Sequence, residues 1–305
     1  MTSGIMNTKT KESLNKLFLN LLALILIIFI VGPLIWVAVA SIQGESELLR
    51  KPQRIFPKNP TLDNYNYVFT GKIPTSLEVK GQLIRSRISH EARLIPAALK
   101  NSFIVATTVM GINLIFGTLG AYTFSRLRFR GKVVTFNFFL GSRLIPVIAV
   151  AIPYYVIIQT MGLLDTYLSL ILVYLALTLP FTIWFLTLYF NGIPEDFEDA
   201  ALIDGCSRFQ ALVRIVLPMA LPGLVAAAAF AFMTSYNEFL FARFLTQSIA
   251  THTGPVMIAA IAGNPDASYS LISVAMTLGL IPPIILALVL NRWLTEGLST
   301  SITFR

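Results

Sequence analysis

The chain has 305 residues, of which 55% are hydrophobic and 12% are charged, and its formal net charge is +8. Soluble domains contain about 25% charged residues, so this composition indicates that most of the chain lies in a lipid bilayer. The basic residues stand mostly between apolar runs rather than in a stripe with interleaved aromatics, which argues against nucleic-acid binding. One cysteine and two histidines exclude an intrachain disulfide and a zinc cluster.

Six apolar runs are long enough to cross a bilayer, for which about 20 residues suffice. They cover residues 17–42, 95–124, 133–160, 167–190, 221–244 and 270–294. The first resembles a signal peptide, with lysines before it and Ala38-Val39-Ala40 near its end, but its apolar core exceeds the roughly 7–15 residues of such a peptide. We therefore predict an all-α, polytopic membrane protein with six transmembrane helices and an uncleaved first span.

The Lys and Arg residues between the spans predict the topology. The connection between the second and third spans contains Arg126, Arg128, Arg130 and Lys132 and is predicted to be cytoplasmic, whereas residues 161–166 contain neither Lys nor Arg and face outward. Alternation places loop 191–220 and both tails, 1–16 and 295–305, in the cytoplasm, around a permease domain over 17–294. Segments 43–94 and 245–269 are then external; the first has nine basic residues, but long segments cross largely regardless of charge.

Loop 191–220 is a polar island between apolar runs. Pro194 predicts a helix start, and the helix dipole favours the four acids around its opening, Glu195, Asp196, Glu198 and Asp199. Gly205 is predicted to end this helix and Ser207 to cap a second one. The second helix, 207–217, is predicted to pack back onto the spans through its apolar residues, Phe209, Leu212, Val213, Val216 and Leu217.

The acidic character of this loop indicates a protein partner rather than a lipid surface. Helices that lie on the cytoplasmic leaflet are usually rich in Lys and Arg, because that leaflet has a negative surface potential. A basic or helix-capped groove on a cytosolic protein suits the acids better. Phe197 and Ile203 are the predicted apolar anchors, and Ala200 and Ala201 leave room for a close approach.

Arg143 is the most notable polar residue within a predicted span. At a rise of about 1.5 Å per residue from Val133, it lies roughly 15 Å deep, near the bilayer midplane. A charge at this depth is a functional-site candidate, and the alternative is a structural arginine satisfied by backbone carbonyls or a partner subunit. Weaker candidates for a translocation pathway are Asn113, Asn137, Asn237 and Glu238.

Small residues recur at every fourth position of the fifth span, at Gly223, Ala227, Ala231 and Ser235. Such a stripe allows another helix to approach closely, so we predict that it packs against a neighbouring span.

The sequence lacks the motifs of nucleotide hydrolysis and of common membrane enzymes. Gly131-Lys132 is not part of a G-x-x-x-x-G-K-[ST] pattern, and neither H-E-x-x-H nor G-x-S-x-G occurs. We therefore expect no enzymatic activity and no cofactor on this chain. If a nucleotide drives transport, another chain must bind it.

The spacing in the polar loop resembles the EAA loop of ABC importer permeases, whose pattern is E-A-A, three residues, G, nine residues, I-x-L-P. The matching residues are Asp199-Ala200-Ala201, Gly205 and Ile215-Val216-Leu217-Pro218, with Asp199 in place of the usual Glu. Other segments are similar to the carbohydrate-uptake branch, of the maltose-type G subunit. They include Asn101-Ser102, Gly162-Leu163-Leu164-Asp165-Thr166 and Tyr236-Asn237-Glu238-Phe239, where Trp usually stands at 236; residues 71–93 look like an insertion.

This resemblance implies a permease subunit in the cell's inner or plasma membrane, for a sugar or oligosaccharide. The implied partners are a second six-span permease, two cytosolic ATPases that bind ATP and Mg, an extracytoplasmic substrate-binding protein, and membrane lipid. The implied ATPase-coupling residues are Glu195, Asp196, Phe197, Glu198, Asp199, Ala200, Ala201, Ile203, Asp204, Gly205, Ile215, Leu217 and Pro218. A projecting finger within 246–268 is implied to contact the binding protein through turns at Gly254, Pro255, Gly263, Asn264 and Pro265.

A self-contained secondary transporter is the alternative interpretation. In such a transporter, a midplane site would be built on Arg143 and on spans broken by internal prolines. Uptake driven by an ion gradient through this chain alone would favour it.

Overall fold

A computed structural model describes residues 3–52, 54–72, 90–264 and 267–303. Within these ranges the chain forms helices, which confirms the all-α prediction. They are α1 Ser3–Ser41, α2 Glu45–Leu48, α3 Asp63–Thr70, α4 Ile95–Arg126, α5 Lys132–Ser142, α6 Val147–Thr160, α7 Tyr167–Asn191, α8 Asp196–Ile203, α9 Arg208–Ala211, α10 Leu217–Met219, α11 Leu221–Tyr236, α12 Leu240–Leu245, α13 Gly254–Ala262 and α14 Tyr269–Thr303. A 3-10 helix, His90–Leu94, precedes α4, and a π-helical turn, Leu212–Val216, joins α9 to α10.

Four helical segments of the described chain are long and apolar enough to cross a membrane unbroken. They are Glu12–Ser41, Glu91–Arg126, Tyr167–Asn191 and Tyr269–Asn291. Two further candidates are bent pairs, Lys132–Ser142 with Val147–Thr160 at 98° and Arg208–Met219 with Leu221–Tyr236 at 82°. The predicted total of six spans therefore holds if each bent pair crosses the membrane once.

The third predicted span is not the single helix expected over 133–160. Helix α5 ends at Ser142, and α6 begins at Val147 after the cap residue Pro146. A proline lacks the backbone N–H of a helix interior and restrains the preceding residue to extended conformations, so it favours a break here. The fifth predicted span is also shorter than expected, because α11 ends at Tyr236 and α12 begins at Leu240.

Chain contacts divide the protein into two units, one of Met1–Arg93 with Ile261–Leu278 and the other of Leu94–Ala260 with Gly279–Arg305. In the first unit, Glu45 is buried and caps the start of α14. Its carboxylate accepts hydrogen bonds from Ser268 Oγ at 2.6 Å, Tyr269 N at 3.1 Å and Ser270 N at 3.0 Å. Asn64 donates to the carbonyls of Ser41 and Gln43, so a buried polar network orders this segment. Most of the predicted insertion at 71–93 lies outside the described residues.

The second unit is built around α4, α7 and α11, which pack against one another. Small residues allow close contact: a Cβ atom added at Gly117 of α4 would lie 2.5 Å from Cγ2 of Thr182, and one at Gly223 of α11 would lie 2.6 Å from the Tyr189 ring. The predicted small-residue stripe of α11 is buried, which confirms its role in packing. Apolar side chains gain little from leaving lipid, so close contact is a main source of helix association in a bilayer.

Candidate functional site

The polar loop folds as the sequence predicts, with small shifts in its boundaries. Helix α8 begins at Asp196 rather than at Pro194, and three acids lie in its first turn. Gly205 has a φ of +88°, and the N–H of Cys206 donates to Ala201 O at 2.9 Å, which terminates the helix. Ser207 caps α9 through a capping box with Gln210. The predictions for Gly205 and Ser207 are both confirmed.

The second part of the loop packs back onto α4, α7 and α11, as predicted, but only through part of its apolar surface. Leu212 and Val216 are buried in a cluster with Phe190 and Ala121. Phe209 and Val213 remain 65% and 44% exposed. The prediction that this helix packs back onto the spans is therefore confirmed through Leu212 and Val216, while Phe209 and Val213 do not contribute to the buried cluster.

A buried ion pair fixes α8 to the end of α4. Arg126 Nε contacts Glu198 Oε1, and both side chains are about 95% buried, with exposures of 5% and 6%. Tyr122 donates to Glu198 Oε2 at 2.9 Å, and Arg126 also donates to Ile193 O at 2.9 Å. The carboxylate and the guanidinium are therefore both hydrogen bonded, which a buried pair requires in order to offset the loss of hydration.

The pair divides the predicted coupling residues between two faces of α8. Glu198 and Ala201 are buried, three residues apart on the inner face. The outer face exposes Glu195, Asp196, Phe197, Asp199, Ala200, Ile203, Asp204 and Gly205. Among them, Ile203 is 86% exposed, an unusual position for a large apolar side chain beside four acids. Farther along, Pro218 is exposed, whereas Ile215 and Leu217 are half-buried.

Tyr122 and Arg126 hold the polar loop through Glu198, although they are not among the coupling residues implied by the sequence. The sequence indicates a topological role for Arg126, and the stretch from Ala121 to Gly131 also resembles the carbohydrate-uptake permeases. The four-residue spacing of Tyr122 and Arg126 puts them on one face of α4. A tyrosine and an arginine aligned at the end of an apolar helix are a detectable pattern, but nothing local to α4 indicates which carboxylate they meet.

Arg143 lies in the break between α5 and α6, where it is the C-cap residue of α5. The rise from Val133 to Arg143 runs along α5 and ends before the break, so the predicted depth stays a prediction. Its guanidinium donates to the Leu177 carbonyl of α7, which is the contact expected of a structural arginine.

The structure also describes the other pathway candidates, and none of the hydrogen bonds that it shows for them joins two candidates. Asn113 is buried and links α4 to α7 by donating to Thr178 Oγ1 at 2.8 Å. Asn237 donates within its own helix to Met233 O, and Glu238 caps α12 by accepting from the N–H groups of Phe241 and Ala242. Asn137 is exposed on α5.

The predicted turn at Gly254-Pro255 is wrong, because Gly254 is the buried first residue of α13. Its N–H donates to Ser102 Oγ at 2.9 Å, and a Cβ atom there would lie 2.7 Å from Leu99 Cδ2. Helix α13 thus begins against α4 rather than on a projecting finger. Gly263 is exposed and Asn264 half-buried, while Pro265 lies outside the described residues.

The connector before α13, residues 246–253, is held at its backbone by α4 and by the α6–α7 turn. Asn101 donates to Ala250 O and His252 O, both at 2.9 Å, and accepts from the Tyr167 hydroxyl. Asp165 accepts from the N–H groups of Gln247 and Ser248 and from the Thr251 hydroxyl. Desolvation acts to raise the pKa of Asp165, but these hydrogen bonds outweigh it and hold that pKa well below its usual range.

Comparison with known proteins supports the relationship that this geometry suggests. The family described as "Binding-protein-dependent transport system inner membrane component" matches residues 113–300. The chain is 31% identical to the trehalose/maltose transport system permease protein MalG of Thermococcus litoralis over 290 residues, 95% of this chain and 97% of that protein. It is also 31% identical over 267 residues to the sulfoquinovosyl glycerol transport system permease protein SmoH of Agrobacterium fabrum, covering 88% and 86% of the two chains.

A solved structure shares the fold. A bacterial ABC transporter involved in the import of the acidic polysaccharide alginate contains a chain with a TM-score of 0.72 and 20% identity, covering 94% of this chain and 98% of that one.

The apolar helices, the two bent helix pairs and the acidic loop held by a buried ion pair are the features of a polytopic membrane permease. The chain belongs to the family of binding-protein-dependent transport system inner membrane components and is a permease subunit of an ATP-binding-cassette importer.

Proposed function

We propose that this subunit forms half of a translocation pathway for a sugar or oligosaccharide and couples it to cytosolic ATPases through α8. The other half is a second six-span permease. An extracytoplasmic binding protein delivers the solute, and ATP and Mg bind to two ATPase subunits. Both termini and the coupling loop lie in the cytoplasm in this proposal.

The observation that supports coupling through α8 is the division of its two faces. Glu198 is paired inward with Arg126, so a force applied to α8 reaches α4 through a buried contact. Asp199 and Ile203 point outward and leave a charged and an apolar group free for a partner. A helix meant only to cover the spans would bury its apolar residues and expose its acids.

The sugar class rests on the relatives. MalG and SmoH are named for trehalose/maltose and sulfoquinovosyl glycerol, and both cover most of this chain. A glycoside or oligosaccharide is the solute class that these names share.

The test is uptake by the complete transporter in proteoliposomes, with radiolabelled trehalose and maltose as probes. Asp199→Lys and Gly205→Pro are expected to abolish ATP-dependent uptake while membrane insertion persists. Gly205→Pro acts because proline cannot adopt the positive φ found there. Ion-gradient-driven uptake by this chain alone would overturn the proposal in favour of a secondary transporter.

A further inference from the structure

A charged cleft lies beside the coupling helix, between α8 and the turn that joins α4 to α5. Its volume is about 670 Å³, and its floor is the buried pair of Arg126 and Glu198. The α8 wall presents Glu195 and Asp199, both exposed. The cleft is thus a continuation of the outer face of α8 rather than an internal cavity.

Two basic side chains also line the cleft. Arg128 lines it from the α4–α5 turn and Arg208 from the start of α9, and both are exposed. Among the described residues, the one ion pair within 4.0 Å joins Arg126 and Glu198, so the two acids and the two arginines of the walls are unpaired in the chain. Two acidic and two basic side chains therefore line one cleft without forming an ion pair within the chain.

We propose that this cleft is part of the ATPase-docking surface, and that it receives a segment of the ATPase with a basic group toward α8 and an acidic group toward Arg128. The proposal rests on the proposed function. It extends the docking surface beyond the coupling helix to the α4–α5 turn. A lipid headgroup surface fits less well, because its negative potential repels Glu195 and Asp199.

Unpaired charges on preformed walls favour one orientation of the partner. A segment inserted the wrong way round would place like charges together, which disfavours that orientation. The cleft thus provides orientation as well as affinity.

Arg130 supplies a matched control. It is exposed on the same turn as Arg128, two residues along, but does not line the cleft. Both arginines contribute equally to the positive charge that determines topology. A difference between the effects of replacing them therefore comes from the cleft and not from a change in membrane orientation.

The experiment measures retention of the ATPase subunits on membranes that contain the complete transporter, after low-salt and high-salt washes. Arg128→Glu is expected to weaken retention on the order of tenfold at low salt, whereas Arg130→Glu stays within about twofold of wild type. The difference should shrink at high salt, because exposed charges are screened. Protease accessibility checks insertion of each variant, and Arg128→Gln, with a smaller loss, replaces Arg128→Glu if that variant does not insert.

A charge exchange sharpens the test. Arg128→Asp combined with Asp199→Arg restores the net charge of the cleft but reverses its polarity, so retention should remain low. Recovery by the exchanged variant, or equal losses for Arg128→Glu and Arg130→Glu, would overturn the proposal; equal losses would indicate contact with lipid. Asp199→Lys distinguishes failure of the cleft proposal from failure of the proposed function. If the ATPases stay bound in both Asp199→Lys and Arg128→Glu, the proposed function itself fails. If they are lost in Asp199→Lys but retained in Arg128→Glu, only the cleft proposal fails.

Discussion

The two ends of α4 each hold a loop, but by different chemistry. At its C-terminal end, Arg126 and Tyr122 meet the side chain of Glu198 in a buried charged contact. At the other end, about 38 Å away at 1.5 Å per residue, Asn101 and Ser102 bind backbone groups of residues 250–254. The polar loop thus depends on the identity of one of its own side chains, whereas most bonds to the connector before α13 use backbone N–H or carbonyl groups, which do not depend on side-chain identity.

The two kinds of contact differ in how many substitutions the attached segment tolerates. A single buried pair attaches α8 strongly and leaves its outer face free for a partner. Distributed bonds to the backbone preserve the course of the connector while its side chains vary. Changes that target each kind of contact test this distinction.

Glu198→Ala should have the largest effect. It leaves Arg126 buried with one carbonyl partner, and removing one member of a buried pair costs about 3–5 kcal/mol. A spin label on Ile203→Cys, in a Cys206→Ser background, should become mobile as α8 detaches. The double variant Arg126→Met with Glu198→Met should lose less than Glu198→Ala alone, because no unpaired charge remains. A label that stays immobile in Glu198→Ala would show that the cluster around Leu212 holds α8 by itself.

Asp165→Ala tests the N-terminal end of α4 and should lower the free energy of unfolding by about 2 kcal/mol. It removes the acceptor of three hydrogen bonds from the connector. Each bond to a charged group contributes about 1.5–3 kcal/mol, but the net loss is smaller than their sum because the connector relaxes and water replaces the carboxylate. A spin label at Ile249, which is 53% exposed, should gain mobility while the label at Ile203 does not change. Asp165→Asn is the control, since Asn tolerates the positive φ of 61° and keeps one acceptor oxygen. Equal mobility in both variants would assign the effect to the lost charge.

The same contact predicts a pH dependence with a definite sign. The hydrogen bonds depress the pKa of Asp165 in the folded chain, so its ionised form stabilises the connector above the ordinary pKa of about 4. That stabilisation is lost as the pH falls below about 4 toward the depressed value. The label at Ile249 should therefore gain mobility below pH 4 in the otherwise unchanged protein. Asp165→Asn should show a flat profile over this range, and a parallel rise in both proteins would point to another group.

Sequence patterns predicted the features that depend on local chemistry, and missed those that depend on distant partners. Gly205 and Ser207 were identified because a positive φ and a helix cap have local requirements. The inward direction of Glu198 depends on Arg126, which is 72 residues away. The 98° bend near Arg143 was not predicted, because an internal proline indicates an interrupted helix but not the angle between its two parts. Gly254 was predicted to form a turn because, in the sequence, a glycine required for close packing on α4 cannot be distinguished from a glycine in a turn.

The smallest expected effect comes from Gln247, and it distinguishes the two ends most sharply. Gln247 is exposed, and the bond it gives Asp165 comes from its backbone N–H. Gln247→Ala keeps that donor and should change the free energy of unfolding by less than about 0.5 kcal/mol, as for most surface substitutions. Gln247→Pro removes the donor, and the extended conformation of Thr246 accommodates a following proline, so the label at Ile249 should gain mobility in this variant alone. If Gln247→Ala loosened the connector as much as Gln247→Pro, side-chain identity would matter at both ends of α4, and the contrast between them would fail.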